Sequence, residues 1–298
     1  MKNSLLIPLL AVLSLTTAAQ KKILVYQSDF GLKDGAVPAM KGVAMGVSPD
    51  LKIFDLTHEI PAYNIWEASY RLQQTAPYWP AGTVFVSVVD PGVGSARKSV
   101  VLKTLSGHFF VTPDNGTLTL VAKSLGIAEV REIDETRNRL KGSGKSYTFH
   151  GRDVYSYTGA RLAAGVISFE QVGPLLPKRV VRIDYQSPVF ENGMIRGNIP
   201  ILDIQYGNVW TNIGDSLLNK LSLRFGDSLS IRVSKSGVTV YEGKLPYVET
   251  FSAVPLSEGL CYLNSLLNLS FALNQGSFSE KYKVYSGPEW TVTVKKSK

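Results

Sequence analysis

Cysteine is almost absent: Cys261 is the only one in 298 residues. An intrachain disulfide is therefore impossible, and a Cys-based zinc site or a disulfide-rich scaffold is excluded. Histidine is nearly as scarce, with only His58, His108 and His150. No Gly-x-Gly-x-x-Gly opens a helix, and there is no Walker loop, no His-Glu-x-x-His and no Gly-x-Ser-x-Gly, so the usual dinucleotide, triphosphate, zinc-protease and serine-hydrolase signatures are missing. Long basic runs are lacking too. The net charge of +8 is scattered, with nothing longer than pairs such as Lys21-Lys22 and Lys178-Arg179, which argues against a nucleic-acid partner and leaves solubility or attraction of anionic ligands as its use.

What is present describes a folded chain. With 44% hydrophobic and 19% charged side chains, it can bury one large core or two smaller ones. Residues 1–19 stand apart: Lys2, an apolar stretch from Leu5 to Leu15, then Thr17-Ala18-Ala19 before polar Gln20. This is the pattern of a signal peptide cleaved after Ala19, and it predicts an exported, periplasmic or extracellular protein. Eleven helical residues rise only about 16 Å, against a bilayer core of roughly 30 Å, so no membrane anchor is expected once the signal is removed.

Further on, strand-like and helix-like segments alternate. Ile23–Tyr26, Ile53–Leu56, Thr83–Val89, Val100–Lys103 and Phe109–Thr112 read as strands, while Asp34–Val47, Ile65–Gln74, Leu118–Leu125 and Val154–Ala164 read as helices. That order predicts an N-terminal α/β layered domain with a largely parallel sheet over residues 20–186. Past it, short alternating runs such as Leu229–Val233 and Val238–Glu242, split by Gly-containing turns, predict an all-β barrel domain over residues 187–298.

Three places could carry chemistry. Asp90 ends a strong strand, and Arg97 follows seven residues later across a Gly-flanked loop. The spacing suits a shared pocket, and it suits a structural ion pair equally well. His150 stands in Thr148-Phe149-His150-Gly151-Arg152-Asp153, a polar cluster ahead of a helix where Gly151 permits close backbone approach. His58 reads as a hydrogen-bonded loop residue and His108 as an exposed residue of a hairpin turn. In the second half, Asp203 to Asn212 interleaves Tyr206 and Trp210 with amides such as Asn208, a combination that fits a nucleoside pocket or an ordinary turn with core aromatics.

Taken together, Ser28-Asp29-Phe30-Gly31, Asp55 to Ile60, Val88 to Gly94, Pro113-Asp114-Asn115-Gly116, Phe149 to Asp153, Tyr206 to Ile213, Asn264-Ser265 and Asn274-Gln275-Gly276 resemble the S-adenosylmethionine hydroxide adenosyltransferase family, relatives of fluorinases and chlorinases. The resemblance runs through nearly all of the mature chain. It implies hydrolysis of S-adenosylmethionine to adenosine and methionine by water attacking the ribose 5′ carbon, with Asp90, Arg97 and His150 as the catalytic set. It further implies that Asp29 holds the ribose hydroxyls and Tyr206 stacks on the base. Phe149, Asp203, Asn208 and Ser265 complete the substrate contacts. No metal or cofactor is implied, and the assembly would be a homotrimer with its active site between neighbouring subunits. One departure is Leu266-Leu267-Asn268, where the family usually has glycine and a polar residue. The alternatives are a halide-using relative and an exported nucleoside-binding protein without turnover.

Overall fold

The computed structural model describes residues 22–297; the signal peptide expected at residues 1–19 lies outside them. Contacts divide the chain into two units, one comprising residues through Ala68 with Thr75–Val180, the other Val181–Lys298 with Ser69–Gln74. No helix among the described residues is long and apolar enough to cross a membrane.

The first unit is α/β. Its strands are β1 (Ile23–Ser28), β2 (Lys52–Thr57), β3 (Val84–Val88), β4 (Ser99–Lys103), β5 (Phe109–Pro113), β6 (Glu129–Glu132) and β7 (Leu175–Leu176), in the sheet order β2-β1-β3-β5-β4-β6-β7. The β2-β1-β3-β5 half is parallel, and β4, β6 and β7 each join antiparallel. The strand runs explain why: all of β3 and nearly all of β1 are buried, as strands covered on both faces by helices require. The helices of this part of the chain are α1 (Ala36–Val47), α2 (Ile65–Thr75), whose residues are divided between the two units, α3 (Thr119–Ser124) and α4 (Glu135–Asn138). A wide helical turn, Gly151–Ser156, then runs on into α5 (Tyr157–Ala163). Strands β1 and β3 share one hydrophobic core with α1 and α5. Gly159 lets α5 lie close on the sheet: a Cβ there would sit 2.4 Å from a methyl of Val86.

After 177–188, which hold neither helix nor strand, the second unit is built from antiparallel strands. β8 (Val189–Glu191), β9 (Met194–Ile199), β10 (Ile201–Asp203), β11 (Asn208–Gly214), β12 (Ser228–Lys235), β13 (Val238–Pro246), β14 (Gly259–Leu263), β15 (Asn268–Leu273) and β16 (Gly287–Lys296) form two sheets. Their orders are β10-β11-β15-β14 and β13-β12-β16-β9-β8. The chain passes from one sheet to the other where β9 gives way to β10 across Pro200. A bridge between Tyr247 and Cys261 ties the end of β13 to β14. Both sheets face a single core that includes Ile231, Phe271, Trp290, Leu218 of the short α6 (Asp215–Leu218) and Phe278 of the short α7 (Phe278–Tyr282).

Candidate active site

The loop after β3 carries the first part of the site. Asp90 opens a turn in which the Val93 N–H donates to its carbonyl at 3.2 Å, and Asn115, from the Pro-Asp-Asn-Gly motif after β5, donates to the preceding Val89 carbonyl at 2.9 Å. Arg97 comes back across this loop and grips the Asp90 carboxylate with both Nε, at 2.8 Å, and Nη2. The two side chains are only 11% and 7% exposed. Arg97 Nη1 donates to Ser99 Oγ at 3.1 Å, and its guanidinium lies 5.8 Å from the Tyr155 ring centre. Ser99 in turn pairs with the Tyr155 hydroxyl. Burial raises the Tyr155 pKa above the ordinary phenol range, so Tyr155 is a neutral wall against which the ion pair is set.

His150 begins the wide helical turn and is buried. Gly151 behind it is confined: a Cβ would lie 3.2 Å from the rings or methyls of Phe30 and Val88 and 3.3 Å from Phe149. That space lets the Phe30 and Phe149 rings meet edge to face at 5.6 Å. His150 Nε2 is 3.3 Å from Nη2 of Arg139, while Nδ1 is buried with no hydrogen-bond partner among the described residues. Burial, followed by the positive charge of Arg139 and Arg97, holds the His150 pKa below the usual imidazole range against the opposing pull of Glu135 and Asp90. The neutral ring is the resting form.

Asp90 and His150 share a cleft of about 270 Å³ in the first unit, walled also by Asp29, Phe30, Tyr63 and Phe149, while Arg97 is not among its walls and meets it through Asp90. Asp29 is fixed through Oδ2, which accepts the Tyr63 N–H at 2.9 Å. Tyr63 itself has φ +68°, a left-handed conformation that costs a non-glycine residue energy and is found where structure over-determines it.

The other candidates lie in the second unit around a larger cleft of about 1410 Å³, whose walls include Asp203, Tyr206, Asn208, Trp210, Phe251 and Ser265. Asp203 and Asn208 face each other across the β10–β11 hairpin, the amide donating to the carboxylate at 3.0 Å. Tyr206 at the tip is 66% exposed, and Ser265 lies in the β14–β15 turn. In that turn the Asn264 side chain accepts the N–H groups of Leu266 and Asn268. Leu267 occupies φ +58°. The sequence departure at this point thus leaves the turn intact, with leucine in a position that glycine would hold without strain.

The remaining histidines are structural. His58 is buried, receiving the Ser28 hydroxyl at Nδ1 (2.6 Å) and donating from Nε2 to Asp55 (3.1 Å). His108 does belong to the β4–β5 hairpin, but the exposure expected for it is wrong. It is buried, with Nδ1 on Ser106 Oγ and Nε2 on the Trp79 carbonyl, because the ring folds back under the turn and both nitrogens find partners there. Arg139 and Glu135 were not anticipated; their i,i+4 spacing is the pattern of a helical ion pair, which on its own says nothing about a neighbouring histidine. Among the described residues no group of three or more His, Cys, Asp or Glu is arranged to hold a metal ion.

The chain matches the SAM hydroxide adenosyltransferase N-terminal domain over residues 24–173 and the C-terminal domain of the same name over residues 197–291. The chain belongs to the SAM hydroxide adenosyltransferase family. It is 36% identical to an (R)-S-adenosyl-L-methionine hydrolase of Methanocaldococcus jannaschii over 72% of this chain and 75% of that one. A fluorinase of Nocardia brasiliensis is 28% identical over 94% of this chain and 99% of its own. Among solved structures, an uncharacterized conserved protein from Thermotoga maritima superposes with a TM-score of 0.85 at 36% identity, covering 91% of this chain and 99% of that one. Both clefts lie on segments matched by the two domains of the family.

Proposed function

We propose that this protein hydrolyses S-adenosylmethionine to adenosine and methionine, with water as the nucleophile at the ribose 5′ carbon. The observation that carries the reading is the cleft that brings Asp90, held by Arg97, together with His150 in a chain of this family. A bond forms between the water oxygen and C5′, the C5′–S bond breaks with its electron pair going to sulfur, and methionine leaves as a neutral thioether. The water proton passes to the Asp90 carboxylate and from there to solvent. Each carboxylate oxygen keeps a free lone pair after accepting from Arg97, so Asp90 remains able to accept that proton. Arg97 fixes the carboxylate and balances its charge. Because the sulfonium loses its charge as the bond breaks, an enclosed cleft favours the transition state over the ionic ground state.

Asp90 also discriminates between nucleophiles. A halide held 4 Å from this carboxylate would be repelled by about 4 kcal/mol at an effective dielectric of 20, and Arg97 already spends two N–H groups on the same carboxylate. Water carries no such penalty, which places the halide-using alternative second.

In this reading Asp29 holds the ribose hydroxyls beside Phe149, while Tyr206 stacks on the base and Asp203, Asn208 and Ser265 hold polar groups of the substrate. The two sets line separate clefts. We take the working site to join the first cleft of one copy with the second cleft of a neighbour in a homotrimer; exposed Ile204, Tyr206 and Leu256 on the second cleft supply apolar surface for such a contact. Export through cleavage after Ala19 belongs to the same proposal, as does a reaction that needs no metal.

The test is incubation of the purified protein with each sulfonium epimer of S-adenosylmethionine in ¹⁸O-water, since the M. jannaschii relative is named for the (R) form. Adenosine carrying ¹⁸O at the 5′ hydroxyl is the expected product. Adenosine binding without turnover would establish the binding-protein alternative instead, and chloride- or fluoride-dependent formation of a 5′-halonucleoside would establish the halogenase. Mixing two inactive variants, Asp90→Asn and Asp203→Ala, should restore partial activity if sites form between copies; no recovery in a trimer that exchanges subunits refutes the shared site.

A further inference from the structure

Nothing in the family pattern used above assigns a role to Arg139, yet it is the residue that meets the buried ring of His150. It follows α4 directly, and Glu135 Oε2 accepts from its Nε at 3.1 Å and its Nη2 at 2.5 Å. The guanidinium is further seated over the Tyr147 ring at 4.6 Å. So restrained, Nη2 points a hydrogen at His150 Nε2, 3.3 Å away. A guanidinium has donors only, and a neutral imidazole has one protonated and one lone-pair nitrogen. Nε2 must then be the acceptor, which puts the proton on Nδ1. Glu135 Oε1, at 3.8 Å from Nε2, is too far to compete for it. Nδ1 is the ring nitrogen left buried and unpartnered, and an unpaired buried N–H costs about 1–3 kcal/mol until something accepts from it.

We propose that Arg139, held by Glu135, is a positioning residue that fixes His150 in the Nδ1–H tautomer, so that neither ring nitrogen offers a free lone pair and the imidazole does not act as the base. Its kinetic consequence rests on the hydrolase reading. Asp90 then takes the proton, because the Nε2 lone pair is occupied by Arg139 and Nδ1 already carries its hydrogen. The charged and titratable groups around the ring are Glu135 and Arg139 at α4, Asp90 and Arg97 in the loop after β3, Tyr147 ahead of it and Tyr155 beyond it. Neither Arg139 nor Glu135 is among the described residues that wall the cleft, so they act through His150 and not on substrate.

The experiment is ¹⁵N NMR of protein labelled at its three histidines, with a His150→Gln sample to assign the ring, combined with pH–rate profiles. The expected spectrum has a pyrrole-type Nδ1 and a pyridine-type Nε2 for His150. Arg139→Met should mix the tautomers and lower kcat about 10-fold, the equivalent of one lost hydrogen bond to a charged donor, with KM little changed. It should also move the acid limb of the profile upward, because a positive charge beside the ring is gone. Glu135→Gln should move that limb downward, and Arg139→Lys should recover much of the kcat. An Nε2–H tautomer in the unaltered protein overturns the proposal, as does an Arg139→Met protein with unchanged tautomer and profile. Should Arg139→Met not fold, Arg139→Lys and Glu135→Gln carry the same readouts. If the protein proves not to hydrolyse S-adenosylmethionine, the tautomer measurement still decides the role of Arg139, so the two failures are distinguishable.

Discussion

Replacing Arg97 with methionine removes the cation that grips Asp90 and leaves a buried carboxylate facing an apolar side chain. Asp90 is 7% exposed and meets water only on the side that walls the cleft, so the two N–H donors that it loses are not made good. Breaking one partner of a buried pair costs about 3–5 kcal/mol. For a unit of about 150 residues, each kcal/mol lowers the melting temperature by roughly 2–4 °C, so a loss of 3 kcal/mol predicts a drop of ~6–12 °C in the transition of the first unit. Asp90→Leu alone should cost less than that, because Arg97 keeps its bond to Ser99 Oγ. The double variant should be more stable than the sum of the single changes by about 2 kcal/mol or more, the coupling characteristic of residues in direct contact. Urea unfolding followed by circular dichroism, run on all four proteins of the cycle, measures each term. All three variants should lack adenosine formation, whatever their stability. Additive single effects, or an Arg97→Met protein within 1 kcal/mol of the original, would refute the idea that this pair is a desolvated unit whose partners depend on each other.

Three other outcomes are expected. His58 and His150 both have pKa values held down, mainly by burial, so the unfolded chain binds more protons than the folded one below its ordinary imidazole pKa. The stability they contribute is present above about pH 6.5 and is lost as pH falls through that region; His58→Gln should flatten the dependence in urea titrations run from pH 7.5 to 5, and an equally steep fall would count against this assignment. Leu267→Gly should raise stability by about 1 kcal/mol by relieving the φ +58° conformation, read as an upward shift of the melting temperature. Gly159→Ala should cost about 1–3 kcal/mol, since its methyl would overlap Val86 in a packed core; thermal melts that show no loss would mean that α5 can lift off the sheet freely.

Much of the architecture was legible because burial leaves a direct mark on composition. Ile23–Tyr26 and Thr83–Val89 are continuous apolar runs, as strands covered on both faces must be, and they became β1 and β3. The edge strand β2, with Phe54 exposed, was legible only as the short strand-like run Ile53–Leu56. Asp90, Phe149 and His150 could be named from their motifs, but the cleft they share depends on where the loop after β3 and the turn after residue 148 come together. Periodicity carries no such information. His108 shows the same limit in reverse: a polar residue in a turn looks exposed until Ser106 and the Trp79 carbonyl are brought to its two nitrogens. Arg139 was invisible for a related reason, as its contact with His150 spans a loop of irregular backbone.

The two clefts are each supported by a separate hydrophobic core, and this has a consequence for how such a chain can diverge. Substitutions near Asp90 disturb the core beneath that cleft, while the hairpin bearing Asp203 and Asn208 draws its rigidity from the other. Residues that share no packing partners have nearly additive effects on stability, so a change in the core beneath one cleft leaves the folding of the other nearly as it was. Each half of the protein can therefore accumulate stabilising or destabilising change on its own clock.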